Sequence, residues 1–248
     1  MNDIVDLHSH TIACGHAYNT LYEMVRAAAG NGVVLFGSSE HGPRVPGSCQ
    51  EMYFSNFKVI PRHLFGIRLL MGCELNIMDF QGNVDLWDSL LPRLDYGIAS
   101  LHVPCCAPGS MADNTNAYLG VMKNPYVQII GHPDDDRYPV DYDSLVSAAA
   151  QHHKLLEVNS SSLHPLSPRK GARERYLKML DLCIHYQTPI IIGSDAHCEA
   201  DAGNHKRALA LLEEVKFPEH LVMNTHVEKL VPYIPALKDW KGEQVCHD

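Results

Sequence analysis

The 248-residue sequence predicts an α/β barrel, on three observations. Short apolar runs alternate with amphipathic stretches along almost the whole chain, which is the pattern of repeated βα units around a parallel sheet. Seven of these runs read as strands, and most are continuously apolar before they end in polar residues, as strands buried on both faces should be. No flexible linker, low-complexity tract or heptad interrupts them, so a single unit over residues 1–248 is the simplest organisation.

The elements follow in order. The strands are expected at residues 4–8, 33–38, 69–75, 96–102, 127–132, 155–159 and 189–195. The first helix is read from Leu21, Met24, Val25 and Ala28, spaced i, i+3, i+4 and i+7 behind a Thr20 to Glu23 capping box. Tyr142, Leu145, Val146 and Ala149 repeat that spacing. Leu177, Leu180 and Ile184 mark another helix, and Thr225 with Glu228 is expected to cap a last one. Residues 43–48 and 160–171 read as long loops. Seven such units close a barrel more readily than they form an open sheet.

Composition narrows the function. The chain is 46% hydrophobic and 20% charged, and no run approaches the roughly 20 apolar residues of a membrane span. A formal charge of -9 argues against a general grip on the nucleic-acid backbone. Eight cysteines without a CxxC pair read as reduced thiols, and no basic stretch followed by an apolar one stands at the start, so the expected location is the cytoplasm. The unusual number is 16 histidines against 20 Lys plus Arg.

Many of these histidines fall where strands end. Six of the seven expected strands finish in His8 and His10, His41, Glu74, His102, His132, or Asp195 and His197. In a βα barrel those ends share one face, where active sites are built. A single strand-end histidine is more often a satisfied rim residue than a ligand, but that reading fails for so many at equivalent positions. In extended chain i and i+2 point the same way, so His8 and His10 can grip one ion, and His16 can reach inward from the first loop. Seven histidines and two carboxylates exceed one tetrahedral zinc and suit two or three ions sharing a bridging carboxylate.

Together Asp6-Leu7-His8-Ser9-His10, Glu40-His41-Gly42, Gly72-Cys73-Glu74, His102, Gly131-His132-Pro133 and Gly193-Ser194-Asp195-Ala196-His197 resemble the ordered motifs of the PHP-domain metallophosphoesterases. The resemblance runs over about residues 4–235 and leans toward the small stand-alone phosphatases of the YcdX type, including His16-Ala17-Tyr18 and Asn159-Ser160-Ser161. It implies a distorted seven-stranded, TIM-like (β/α)7 barrel with a trinuclear zinc centre at the C-terminal ends of the strands. It also implies His8, His10, Glu74 and Asp195 around a first ion, Glu74, His102 and His132 around a second, and His16, His41 and His197 around a third. Glu40 departs from the family's Asp, and is expected to orient His41 from behind. Zinc suits the imidazole-rich set, while Mn2+ or Fe2+ would fit the carboxylate-bridged pair.

The expected reaction is hydrolysis of a small-molecule phosphate monoester by a hydroxide bridging two ions, with Asp195 both holding metal and orienting the nucleophile and Glu74 bridging. Arg44, Asn159, His164, Arg169 and Lys170, with Arg173 beside them, are candidates for contacting substrate. His63, His152, His153, His185, His205, His220, His226 and His247 are expected at the surface or rim. Alternatives stay open: a histidinol-phosphatase, a single-strand nuclease or phosphodiesterase, an amidohydrolase, or a metal-binding regulator without turnover. An amidohydrolase fits less well, because the fourth strand ends in His102 and not in a lysine suited to carbamylation. Assembly into a trimer or dimer is compatible with the resemblance, and no motif demands it.

Overall fold

A computed structural model describes residue 1 and residues 3–241. Seven parallel strands carry the architecture, in spatial order β1 (Val5–Asp6), β2 (Leu35–His41), β4 (Ile67–Asn76), β5 (Gly97–Ser100), β6 (Ile129–Ile130), β7 (Leu155–Asn159) and β8 (Ile190–Gly193). Each of the seven coincides with an expected run. The short β3 (His63–Leu64) was not expected; it pairs antiparallel with the start of β4 across a Phe65-Gly66 turn in which both residues have positive φ. His63 lies on this short strand and is exposed, as expected of a surface residue.

The sheet curls until its ends meet. At the C-terminal side Ser9 bridges Ala196 in parallel, with His10 N–H on the Ala196 carbonyl at 2.9 Å and Asp195 N–H on the His8 carbonyl at 2.8 Å. Lower down β1 and β8 splay too far for a direct ladder, and Asn224 fills the gap. Its amide donates to the carbonyls of Val5 (2.7 Å) and Ile192 (2.8 Å), and its Oδ1 accepts from Ile192 N–H at 2.7 Å. Backbone groups that would be orphaned between the strands are satisfied by one side chain. The result is a nearly closed, TIM-like α/β barrel, as the sequence predicts.

Two apolar clusters build the body. The inner one joins Leu7, Leu35, Leu70, Tyr96, Ile98, Ile129 and Ile191 inside the barrel to Val227, Leu230, Ile234 and Leu237 of the C-terminal segment. That segment thus plugs the barrel end opposite the site. Gly37 and Gly72 make room for Tyr96, since a Cβ on either would fall within 2.5 Å of its ring or hydroxyl, which donates to the Leu7 carbonyl at 2.6 Å. The outer cluster lies between the sheet and the helices α1 (Leu21–Gly30), α2 (Glu51–Ser55), α3 (Met111–Val121), α4 (Tyr142–Gln151), α5 (Ala172–Tyr186) and α6 (Lys206–Glu214).

Local chemistry explains the helix starts. The Thr20–Glu23 capping box of α1 is formed, and α3 begins on a second one, Ser110 with Asp113. The four expected positions of α4 are all buried. On α5 the buried stripe is Tyr176, Met179, Leu180 and Cys183, so Leu180 faces inward as expected while Ile184 is turned to solvent. Thr225 and Glu228 do not cap a helix: the Thr225 hydroxyl donates back to the Val222 carbonyl, and the chain continues in short 3-10 turns that follow the barrel floor. The seven described cysteines are all unpaired, and no described helix is long and apolar enough to cross a membrane. Cys246 and His247 lie outside the described residues.

Candidate active site

The strand-end residues converge at the mouth closed by the Ser9–Ala196 bridge. Glu74, at 0% exposure, is the hub. Its Oε2 lies 3.4 Å from His8 Nε2, 3.5 Å from His10 Nε2 and 2.7 Å from His41 Nδ1, while its Oε1 lies 2.8 Å from His132 Nε2 and 3.3 Å from His102 Nε2. Asp195 stands opposite, its Oδ1 at 3.6 Å from His8 Nε2 and 3.3 Å from His10 Nε2. His16, His41 and His197 form a further group nearer solvent, with His16 Nε2 and His197 Nε2 at 3.0 Å. All nine residues expected as ligands are therefore in one cluster.

The spacing within the cluster is informative. Two donors about 2.05 Å from one tetrahedral ion sit about 3.3 Å apart. The contacts of His8 and His10 with Glu74 and Asp195, at 3.3 to 3.6 Å, have that separation, which is long for a charge-assisted hydrogen bond. His8 Nε2 and both ring nitrogens of His10 are buried without a hydrogen-bond partner, while His41 Nδ1 and Glu74 Oε2, at 2.7 Å, are close enough to pair with each other. Donor atoms left bare in an otherwise satisfied interior fit a cation.

Protonation agrees with that fit at His10, His16, His41 and the two carboxylates. At His8, by contrast, burial is outweighed by the carboxylates of Glu157, Glu74 and Asp195, which raise the pKa well above the usual histidine range. Burial, and then the neighbouring imidazoles of His41 and His197, hold His10 well below the usual histidine range; burial pushes His41 down to about 4 and lowers His16. Burial alone would keep Glu74 and Asp195 protonated, but surrounding imidazoles outweigh it, His102, His41 and His8 for Glu74 and His8 and His10 for Asp195. Both carboxylates are held well below their ordinary values. Neutral imidazoles and ionised carboxylates are the states in which these side chains bind metal.

Backbone geometry is strained at two of these positions. His132 (φ 23°) and Asp195 (φ 53°) are non-glycine residues at positive φ, and each lies two residues beyond the end of a strand. Such conformations persist where surrounding structure enforces them, and they turn the two side chains into the mouth.

Several supporting residues escaped the sequence reading. Glu157 lies mid-strand on β7, 1% exposed, and accepts from His8 Nδ1 at 2.6 Å and from His132 N–H at 2.7 Å. Gly193 allows this, because a Cβ there would sit 2.0 Å from the Glu157 carboxylate. His102 Nδ1 donates to Asn76 Oδ1 at 2.6 Å, and Asn76 is fixed in turn by Asp85. The signal for Glu157 was present as a lone acid in an apolar strand. Glu40 does not orient His41. Neighbours on a strand point to opposite faces, and its carboxylate accepts instead from Thr11 N–H at 3.1 Å and from the Ser38 hydroxyl at 3.0 Å.

The chain is 40% identical over 242 residues to a protein named probable phosphatase from Clostridium novyi, covering 96% of this chain and 98% of that one. A probable phosphatase from Caldicellulosiruptor saccharolyticus is 42% identical over 230 residues, covering 93% and 95%. The chain belongs to this phosphatase family. Among solved structures, histidinol phosphate phosphatase from Lactococcus lactis, complexed with zinc, L-histidinol and phosphate, has the same fold. Its TM-score is 0.60 at 16% identity, over 88% of this chain and 95% of that one. No family model matches the chain.

In this phosphatase the candidates for substrate contact divide. Asn159 Nδ2 and Arg169 Nη1 both donate to Asp195 Oδ2, at 3.1 and 3.2 Å, leaving Oδ1 toward His8 and His10. Arg169 also donates to Ser162, which with Tyr176 hydrogen-bonds the buried Asp134. His164 lines a cavity against Asp195. Lys170 gives its ammonium to the Ser167 carbonyl, and Arg44, exposed, meets Asp85 only through its backbone N–H. Arg173 pairs with Glu214. His205, expected at the surface, is 2% exposed and pairs with Asp3 and Asp6, whereas His152, His153, His185, His220 and His226 are exposed.

Proposed function

We propose that the phosphatase hydrolyses small-molecule phosphate monoesters at a multinuclear zinc centre, as a single barrel of the PHP type nearest the YcdX-like phosphatases, working in the cytoplasm. The observation that carries this is the set of buried, partnerless donor atoms around Glu74 and Asp195 at tetrahedral spacing. His8, His10, Glu74 and Asp195 would hold one ion, Glu74 with His102 and His132 a second, and His16, His41 and His197 a third. Ions held by these residues would lower the pKa of water toward neutrality and offset the charge of a phosphate dianion. Manganese or iron would suit the pair sharing Glu74.

The chain's own groups supply the rest. Glu157 keeps the proton of His8 on Nδ1, so Nε2 presents its lone pair to the site. Asn76 does the same for His102. Asn159 and Arg169 hold Asp195 Oδ2, which fixes Oδ1 for its dual role of binding metal and orienting the attacking water. The solvent-side group of His16 and His197 is where an incoming ester first meets the cluster.

A histidinol-phosphatase remains the second reading, favoured by the Lactococcus enzyme's fold and its bound histidinol. The test is phosphate release from a panel of monoesters, before and after chelation and with zinc restored. Release that stops on chelation and returns with zinc is expected. Equal release from the metal-free chain refutes the proposal, and turnover confined to histidinol phosphate selects the second reading.

A further inference from the structure

Two adjoining cavities open beside Asp195. The smaller, of about 240 Å³, is lined by Ser160, Ser194, Asp195, His164 and Arg207. The larger, of about 460 Å³, lies between residues 160–171 and helices α5 and α6, and it shares His164 and Arg207 with the first. Arg207 thus marks the passage from the reacting centre into the larger space.

The cations around these cavities are committed, with one exception. Arg169 is bound to Asp195 and Ser162, Arg173 to Glu214, and the Lys170 ammonium to the Ser167 carbonyl. Of the acids that line the cavities besides Asp195, Glu214 is taken by Arg173, Asp201 accepts from the Asn204 amide, and Glu174 is exposed at the start of α5. Arg207 is half-buried and has no ion pair or side-chain hydrogen bond among the described residues. A guanidinium offers five donors in a planar fork that matches a carboxylate or phosphate. Ser160 adds a second unused group: it is 1% exposed, lines the smaller cavity, and its hydroxyl has no partner.

We infer that these cavities receive the leaving group, and that the preferred substrates are phosphate esters whose leaving group carries a second anion, held by Arg207. This rests on the reading of the Glu74–Asp195 cluster as the reacting centre. The charge of Arg207 opposes a leaving group bearing an ammonium, such as histidinol, and so separates this substrate class from the second reading above.

The test uses the zinc-loaded full chain and matched pairs. KM is compared for 3-phosphoglycerate against glycerol 3-phosphate, which isolates a carboxylate, and for fructose 1,6-bisphosphate against fructose 6-phosphate, which isolates a second phosphate. The member that carries the second anionic group is expected, in at least one pair, to have a KM about tenfold lower, the size of one charge-assisted interaction. Arg207→Gln should erase that preference and leave kcat on p-nitrophenyl phosphate unchanged. Calorimetry with 3-phosphonopropionate against propylphosphonate, neither of which is hydrolysed, reads the subsite without turnover and should show the same preference lost in R207Q. Equal constants within every pair, or a preference that survives R207Q, overturns the inference. If esters are hydrolysed without preference, only the subsite is wrong. If nothing is hydrolysed but the calorimetric preference persists, the reacting centre was misread and the anion subsite stands.

Discussion

Glu157 has apolar neighbours on both sides along β7, and its carboxylate serves two ligands at once, His8 through Nδ1 and His132 through the backbone. Replacing it by glutamine keeps the shape but weakens the hold on the His8 proton, so zinc affinity should fall by about 10–100-fold while the far-ultraviolet circular dichroism is unchanged. Zinc competition against a chelating dye reads this directly, and an unaltered affinity would show that Glu157 is only a packing group. At this scale the sequence was legible where residue type and strand position coincide. His8, Glu74, His132 and Asp195 could be read because each ends an apolar run. Glu157 and Asn76 support these ligands from within or beside strands, and their partners lie tens of residues away, which no local spacing reveals. Glu40 was misread for a related reason: adjacency along a strand puts a side chain on the opposite face from its neighbour.

Between elements, the join of β1 to α6 is made by His205, which sits just before α6 and is buried between Asp3 and Asp6. Burial opposes its charge, but the nearby Asp6 carboxylate and the hydrogen bond that His205 donates to Asp3 outweigh it and raise its pKa to about 10. A group raised from about 6.5 when unfolded stabilises the fold fully below that value, and the contribution is lost as pH climbs toward 10. Urea denaturation should therefore show the natural chain losing stability between pH 6.5 and 10 by on the order of a few kcal/mol more than a His205→Gln variant does. Parallel curves for the two proteins would contradict the buried ion pair. This pairing was invisible in the sequence because it spans about 200 positions. Asn224 was missed for the same reason: its role in the β1–β8 gap arises only when the first and last strands meet. The seven strands themselves were legible, because a strand buried on both faces leaves an uninterrupted apolar run.

Across the whole molecule, the barrel separates stability from chemistry. The C-terminal segment closes one end with apolar side chains, and the strand ends at the other gather seven imidazoles and two carboxylates, of which His8 Nε2 and both nitrogens of His10 stay buried without a hydrogen-bond partner. An assembly of that kind is costly to bury without cations, so these side chains are suited to holding metal. The most direct test is an anomalous-difference map, at the zinc absorption edge, of crystals grown with zinc. The account predicts peaks inside the cluster, one between His8, His10, Glu74 and Asp195 and one or two more against the remaining histidines, with donor distances of about 2.0–2.3 Å. A map with no peak there, or with zinc only at surface histidines, would contradict it.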